Sequence, residues 1–299
     1  MRLNLDFWNK QEESDINIDA ILELINKCET INYEKELDVQ NISIETLNLL
    51  SNCIQNSLYW YEFKDNCSVL EIGTEFGVLT DFLCDKASEV VSIDWYQKRA
   101  DIVSNLLNNR KNLEIIVGKL KEVLIKEKFD YVILMSNYKC YQKLGINSLE
   151  ELLIVSKTFL KDDGIILFAT DNKFGVKYFS GAFEQNTSLI FGSLQKESDS
   201  DNPLPSKKDI EEVLKKLEFR NYRFFYPLPD YHVPAVIFTD GYLPQRNDSK
   251  LVYPLNYTSN SVVVMNEIKL LRQFANNNNF EFFANSYIIE ISNSNLKDD

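Results

Sequence analysis

Two glycines and two carboxylates, set at breaks between short apolar runs, are the residues of this chain best suited to chemistry. Glycine is scarce, nine in 299 residues, yet Gly73 and Gly77 fall together directly after the apolar run Ser68-Val69-Leu70-Glu71-Ile72. At the junction of a buried strand and a helix, glycine lets the backbone approach a ligand closely, and the helix N-terminus favours an anionic group. The next β-rich run, Glu89 to Ile93, is followed by Asp94. A carboxylate at that strand tip is placed to accept hydrogen bonds from ribose hydroxyls. The pattern predicts a nucleoside-cofactor site.

The spacing discriminates between cofactors. A nicotinamide fingerprint, GxGxxG, needs glycines at 73, 75 and 78, whereas the chain has Gly73, Glu75 and Val78. No GxxxxGK[ST] phosphate loop is present. The pattern acidic-x-G-x-G-x-G is met by Glu71, Gly73 and Gly77, with Glu75 in place of the middle glycine. S-adenosylmethionine is therefore the expected cofactor, with Tyr59, Trp60, Glu71, Ile72, Gly73, Thr74, Gly77, Asp94, Trp95 and Gly118 as its predicted contacts. Two readings of Glu75 stand open: facing the methionine carboxylate, where like charges repel, or pointing outward. Tyr59-Trp60-Tyr61 reads either as a cover for the sulfonium or as a packing corner.

Methyl transfer from a sulfonium depends chiefly on positioning. If a base is needed to take an acceptor's proton, Asp171 and Glu184 are the candidates by position near the carboxyl end of the sheet. His232, the single histidine, reads as a surface or packing residue. Lys173 and Lys177, two cations in an acidic protein, suggest an anionic substrate such as a nucleotide sugar, against the plainer reading of a solvated loop. No metal site is expected, because the five cysteines form no CxxC pair and read as reduced thiols.

The elements that must hold these residues follow from periodicity. Apolar spacing predicts helices over 18–27 and from Ser43, then strands and helices in alternation. The strands are 68–72, 89–93, 113–117, 131–135 and 164–169; the helices are 78–86, 97–108, 118 to about 126, and 148–160. Five βα units in sequence imply a parallel sheet with right-handed crossovers. Residues 172–205 read as an insertion with little regular core, 206–217 as a helix, 220–226 and 235–239 as strands, 246–260 as a loop, 266–276 as a helix and 286–292 as a last strand. The fold class is α/β: a Rossmann-like, mostly parallel, seven-stranded sheet with helices on both faces. It divides into an N-terminal helical extension (1–55, its first 17 residues a flexible or docking arm), the Rossmann domain (56–245) and a C-terminal helix–strand extension packing on that domain (246–299).

Hydrophobic residues make up 44% and charged residues 26%, enough for a sizeable core. A formal charge of −13 disfavours nucleic acid and anionic membrane surfaces. The N-terminus lacks a signal-peptide core and no apolar run spans a bilayer, so a cytoplasmic protein is expected.

Several stretches carry a more specific likeness. They are Tyr59-Trp60-Tyr61-Glu62-Phe63, the 71–80 loop, Asp171-Asn172-Lys173-Phe174-Gly175-Val176-Lys177-Tyr178-Phe179-Ser180-Gly181, Phe225-Tyr226-Pro227-Leu228-Pro229-Asp230-Tyr231 with its sequel to Tyr242-Leu243-Pro244, and Phe283-Ala284-Asn285-Ser286-Tyr287. In these the chain resembles bacterial methyltransferase-domain proteins associated with surface-glycan and glycosyltransferase systems, over nearly everything from about residue 55. The resemblance implies an S-adenosylmethionine-dependent fold and a sugar, nucleotide sugar or glycan as methyl acceptor. The chain departs from that pattern at 182–187, which lacks an Asp-His pair, and at Ser136-Asn137-Tyr138-Lys139-Cys140, usually apolar with an acidic residue. The alternative is therefore a degenerate scaffold that keeps the fold and partners a glycosyltransferase.

Overall fold

The computed structural model describes residues 1–8, 16–38, 42–184, 187–195, 203–245, 248, 250–251, 263–294 and 296. Nine strands form one sheet: β1 (Arg2–Asn4), β2 (Ser68–Ile72), β3 (Glu89–Asp94), β4 (Leu113–Val117), β5 (Phe129–Leu134), β6 (Leu160–Asp171), β7 (Asn221–Leu228), β8 (Val236–Thr239) and β9 (Ser286–Ser292). Their order is β1-β4-β3-β2-β5-β6-β9-β7-β8. From β1 to β6 all pairings are parallel; β9 runs antiparallel to both β6 and β7, and β8 antiparallel to β7. The sheet has nine strands where seven were expected, and the last three pairings are antiparallel.

Both faces are covered, which is why the central strands are apolar at nearly every position. Leu70, Ile72, Val91, Ile93, Val132 and Leu134 point into one core layer. The helices Leu149–Thr158, Lys207–Lys216 and Glu267–Asn276 contribute Leu152, Ile210 and Leu271 to it. Val69, Val90, Ile115, Val117 and Ile133 point the other way. That layer receives Ile21 and Ile25 from helix Ile16–Ile25, Leu79 and Leu83 from Val78–Lys86, and Ala100 and Val103 from Gln97–Leu106. Side chains close the helix starts: Ser43 accepts from the Thr46 amide, Ser148 from Glu151, and Ser206 forms a reciprocal box with Asp209, each such cap worth about 1 kcal/mol.

Three expectations are corrected. The opening residues are not simply an arm, since Arg2–Asn4 pairs with Glu114–Ile116 as an edge strand. No helix fills 118–126. The chain turns once, with the Glu122 and Val123 amides on the Lys119 carbonyl, and the Leu120 amide is drawn to Leu144 instead. A short helix unforeseen from sequence, Tyr138–Lys143, is capped by the Asn137 side chain and buries Cys140 and Tyr141. Within 172–205, the helical turns Val176–Phe179 and Gly192–Gln195 accompany a small cluster of Tyr178, Ala182 and Leu204. Most of the expected 246–260 loop lies outside the described residues.

Candidate functional site

The chain winds outward from β2 through β3 to β4, then returns to lay β5 on the other side of β2. That reversal opens a crevice beyond the carboxyl ends of β2 and β5, where open α/β sheets place their ligands. Its floor is the bend after β2. Gly73 stands at φ 99° and Gly77 at φ 82°, a region that strongly favours glycine. A Cβ on Gly73 would lie 2.0 Å from Ser136 Oγ, and one on Gly77 would lie 2.6 Å from Val103 Cγ1. The Gly73 amide donates to the Ile93 carbonyl at 2.9 Å and Ser136 Oγ donates to the Gly73 carbonyl at 3.0 Å, so neighbouring strands fix the bend from both sides.

Glu71, 2% exposed, accepts hydrogen bonds from Thr80 Oγ1 and Ser92 Oγ, each at 2.6 Å. Burial pushes its carboxyl up to about 8; the two hydroxyls favour the charged form without overcoming that, and Asp94 and Glu75 add to the rise. Thr74 Oγ1 lies 2.7 Å from Ser92 Oγ and extends the network. Above it lies a solvent-open cleft, bounded among others by Gly73, Thr74, Glu75, Phe76, Ser136, Asn137 and His232.

The neighbouring strand tip is arranged differently from expectation. Asp94 has no exposed surface. Its Oδ2 accepts from Arg99 Nε at 2.9 Å, and its Oδ1 accepts from Arg99 Nη2 at 2.9 Å and from the Tyr96 amide at 2.8 Å. The third guanidinium nitrogen, Nη1, donates to Glu75 Oε2 at 2.9 Å. Glu75 stands at φ 46°, a backbone state costing a non-glycine residue about 1–2 kcal/mol. Its other oxygen lies 3.5 Å from Asn137 Nδ2. Burial opposes the charge on Arg99, but Asp94 and Glu75 outweigh it and hold the guanidinium protonated. Phe76 and Trp95 flank that cation at 5.6 and 5.7 Å. Glu75 thus lines the first cleft and is at the same time the second counter-ion of a buried arginine.

A second cleft opens on the other side of Ser136 and Asn137, bounded also by Tyr138, Thr170, Asp171 and Tyr231. Asp171 ends β6 and accepts from Lys177 Nζ at 2.6 Å; the same ammonium is bound by Asp230, whose Oδ1 lies 3.0 Å from His232 Nδ1. Burial raises the Asp171 carboxyl, and Lys177 offsets only part of that rise. For Asp230 burial also raises, but Lys177 and His232 outweigh it and hold this carboxyl well below the usual range. Lys177 stays firmly protonated between them. The array Asp171–Lys177–Asp230–His232 runs from the second cleft to the first.

Of the predicted residues, Glu71, Gly73 and Thr74 line the first cleft and Asp171 the second. Ile72 sends its side chain into the core, and Gly77 caps the Val78–Lys86 helix. Trp95 stacks on Tyr96 at 4.9 Å. Other predicted residues lie away from the two clefts. Tyr59, 70% exposed, lies against Phe82 and Lys86 in the later part of that helix, and Trp60 packs on Phe225 at 4.6 Å; neither borders the two clefts described. Gly118 faces Phe7, whose Cβ a methyl there would meet at 2.9 Å. Glu184 is tied up by the Ser193 amide at 2.9 and 3.0 Å and by the Ser193 hydroxyl at 2.6 Å, stapling its own loop. Lys173 pairs with Asp209 at 2.6 Å and Lys177 with two carboxylates, which removes the motive for an anionic substrate. His232 lines the first cleft, which its reading as a packing residue did not foresee. Arg99, Asn137 and Asp230 were not foreseen either; an arginine one turn after an acidic strand tip was the available signal for the first.

The fold and crevice define the class as a doubly wound, Rossmann-like α/β protein with a glycine bend at the switch point. No protein-family model matches the chain. Ribosomal RNA small subunit methyltransferase A from Streptococcus thermophilus is 32% identical over 66 residues, 22% of this chain and 23% of that relative, so the similarity spans about a quarter of the curated protein. A Haemonchus contortus phosphoethanolamine N-methyltransferase 1, solved with phosphoethanolamine and S-adenosylhomocysteine, aligns at 14% identity and TM-score 0.49 over 96% of this chain and 51% of that one. A SAM-dependent methyltransferase from Archaeoglobus fulgidus aligns at 16% identity and TM-score 0.47, over 81% and 94% of the two chains. Among the described residues no helix is long and apolar enough to cross a membrane.

Proposed function

We propose that this chain is an S-adenosylmethionine-dependent methyltransferase that methylates a hydroxyl of an uncharged sugar or glycan unit. The observation that carries the reading is the shared wall of the two clefts: Ser136 and Asn137 border both, so a donor over the Gly73 bend and an acceptor beside Asp171 are separated only by that turn. What supports the methionine–sulfonium half of the cofactor is a bend whose two ends, Gly73 and Gly77, carry no side chain, with the Glu71 network beneath it. The residues present do not fit the ribose half as arranged, because both Asp94 oxygens are held by Arg99. When bound, the cofactor supplies an activated methyl group. The chain supplies position and proton transfer: Asp171, whose carboxyl burial raises, takes the hydroxyl proton while Lys177 and Asp230 hold it in place.

The acceptor class follows from charge. Lys173 and Lys177 near β6 are each neutralised, so neither supports a cradle for a diphosphate, and a formal charge of −13 argues against RNA, the acceptor in the name of the 32% identical relative. The saturated Asp94 favours a second reading, a fold that keeps the bend and serves as scaffold for a glycosyltransferase. Calorimetric titration with S-adenosylhomocysteine, followed by radiolabelled methyl transfer from S-adenosylmethionine to a panel of neutral glycans and nucleotide sugars, separates them. Micromolar binding with transfer to neutral glycans supports the enzyme; no binding in the wild type or in a variant freed of Arg99 leaves the scaffold.

A further inference from the structure

Resting on that reading, we propose that Arg99 is the residue that sets cofactor affinity, by occupying the ribose-diol position on Asp94 and withdrawing toward Glu75 when a nucleoside enters. Three features point the same way. The guanidinium presents its Nε and Nη2 edge to the two Asp94 oxygens, as a vicinal diol would present two hydroxyls, and is 1% exposed while doing so. Its remaining nitrogen already holds Glu75, which reaches the rim of the bend and is 23% exposed, so the cation has a place to go without losing a counter-ion. Glu75 itself stands in a left-handed backbone state at the position where the acidic-x-G-x-G-x-G pattern has its middle glycine. A side chain retained there against strain is explained by the ion pair it makes.

A binding-competent state populated only in part lowers apparent affinity by its fraction. Freeing Asp94 therefore tightens nucleoside binding, whereas the methionine end gains nothing, because Glu75 in the first cleft loses its cation. The test is calorimetry on the full chain with three probes, S-adenosylhomocysteine, adenosine and methionine, in the wild type, Arg99→Gln and Arg99→Lys, with circular dichroism to confirm folding. Glutamine removes the charge and the fork that covers both Asp94 oxygens; lysine keeps the charge without the fork and serves should the glutamine variant not fold. Arg99→Gln is expected to bind adenosine about tenfold more tightly and Arg99→Lys severalfold, S-adenosylhomocysteine more tightly in both, with methionine affinity no higher than in the wild type. Unchanged or weaker nucleoside binding in folded variants, beside a wild type that binds, overturns the Arg99 proposal and leaves the methyltransferase reading intact. Absence of S-adenosylhomocysteine binding in all three proteins overturns both. Equal tightening of methionine and adenosine marks general loosening of the crevice and overturns the assignment to the ribose position.

Discussion

Replacing Gly73 by alanine tests the bend most directly. Its φ of 99° lies where an L-residue is strained, at a cost of about 1–3 kcal/mol. The new methyl would also sit 2.0 Å from Ser136 Oγ and 2.7 Å from Ser136 Cβ. Overpacking of that kind costs about 1–3 kcal/mol more, for a combined loss of about 2–6 kcal/mol. The two parts separate in a double-mutant cycle. Ser136→Gly removes both clashing atoms while leaving φ unchanged, so Gly73→Ala in that background should recover the packing part and keep the backbone part. Urea unfolding of the four proteins gives the coupling, expected at about 1–3 kcal/mol in favour of the double variant. A loss below about 1 kcal/mol for Gly73→Ala alone would refute the strained bend. A full loss with no recovery beside Ser136→Gly would refute the contact.

Glu71 gives a pH signature. Its folded carboxyl titrates at about 8, above the ordinary 4.5, so the folded state binds the extra proton between those values. Stability associated with it is present below pH 4.5 and falls as pH rises through 8; Glu71→Gln should flatten thermal midpoints measured from pH 5 to 8.5, and an unchanged slope would count against the buried acid. Lys177→Met leaves Asp171 and Asp230 facing each other without their shared cation and should cost about 3–5 kcal/mol by urea unfolding, less at pH 5 than at pH 8. A loss under about 1 kcal/mol would remove the array from the structural account. Among the cysteines, Cys53 is exposed whereas Cys67, Cys84 and Cys140 are buried, so a thiol reagent on the native protein should react fast at Cys53, a step lost in Cys53→Ala.

Much of the framework could be read from periodicity because parallel strands buried on both faces leave unbroken apolar runs, as at Ser68–Ile72 and Leu113–Val117. The Val78–Lys86 helix and the Ser286–Ser292 strand also fall on the predicted residues. Local pattern misled at 118–126, where helical spacing of Leu120 and Val123 lost to a long-range bond from Leu120 to Leu144. It was blind to Arg2–Asn4, three residues stabilised by an edge more than a hundred positions away. The bend, Glu71 and Asp171 were legible because glycine conformation and strand-tip carboxylates are local signals. Arg99 on Asp94, Phe7 on Gly118 and Asp230 on Lys177 are tertiary choices that residue type and spacing leave undetermined.

The placement of β9 bears on how the protein is made. This strand, residues 286–292, lies between β6 and β7, whose residues 160–171 and 221–228 leave the ribosome much earlier. Until it arrives, two apolar strands face each other across an empty lane, each with a row of unpaired amides and carbonyls open to pairing with another nascent chain. A chain stalled near residue 280 would hold the glycine bend and Asp171 yet lack the strand that zips the two halves of the sheet together. Such a product should call for chaperones, and mutations that weaken Tyr287, Ile289 or Ile291 should lower yield in cells before they affect any chemistry at the crevice.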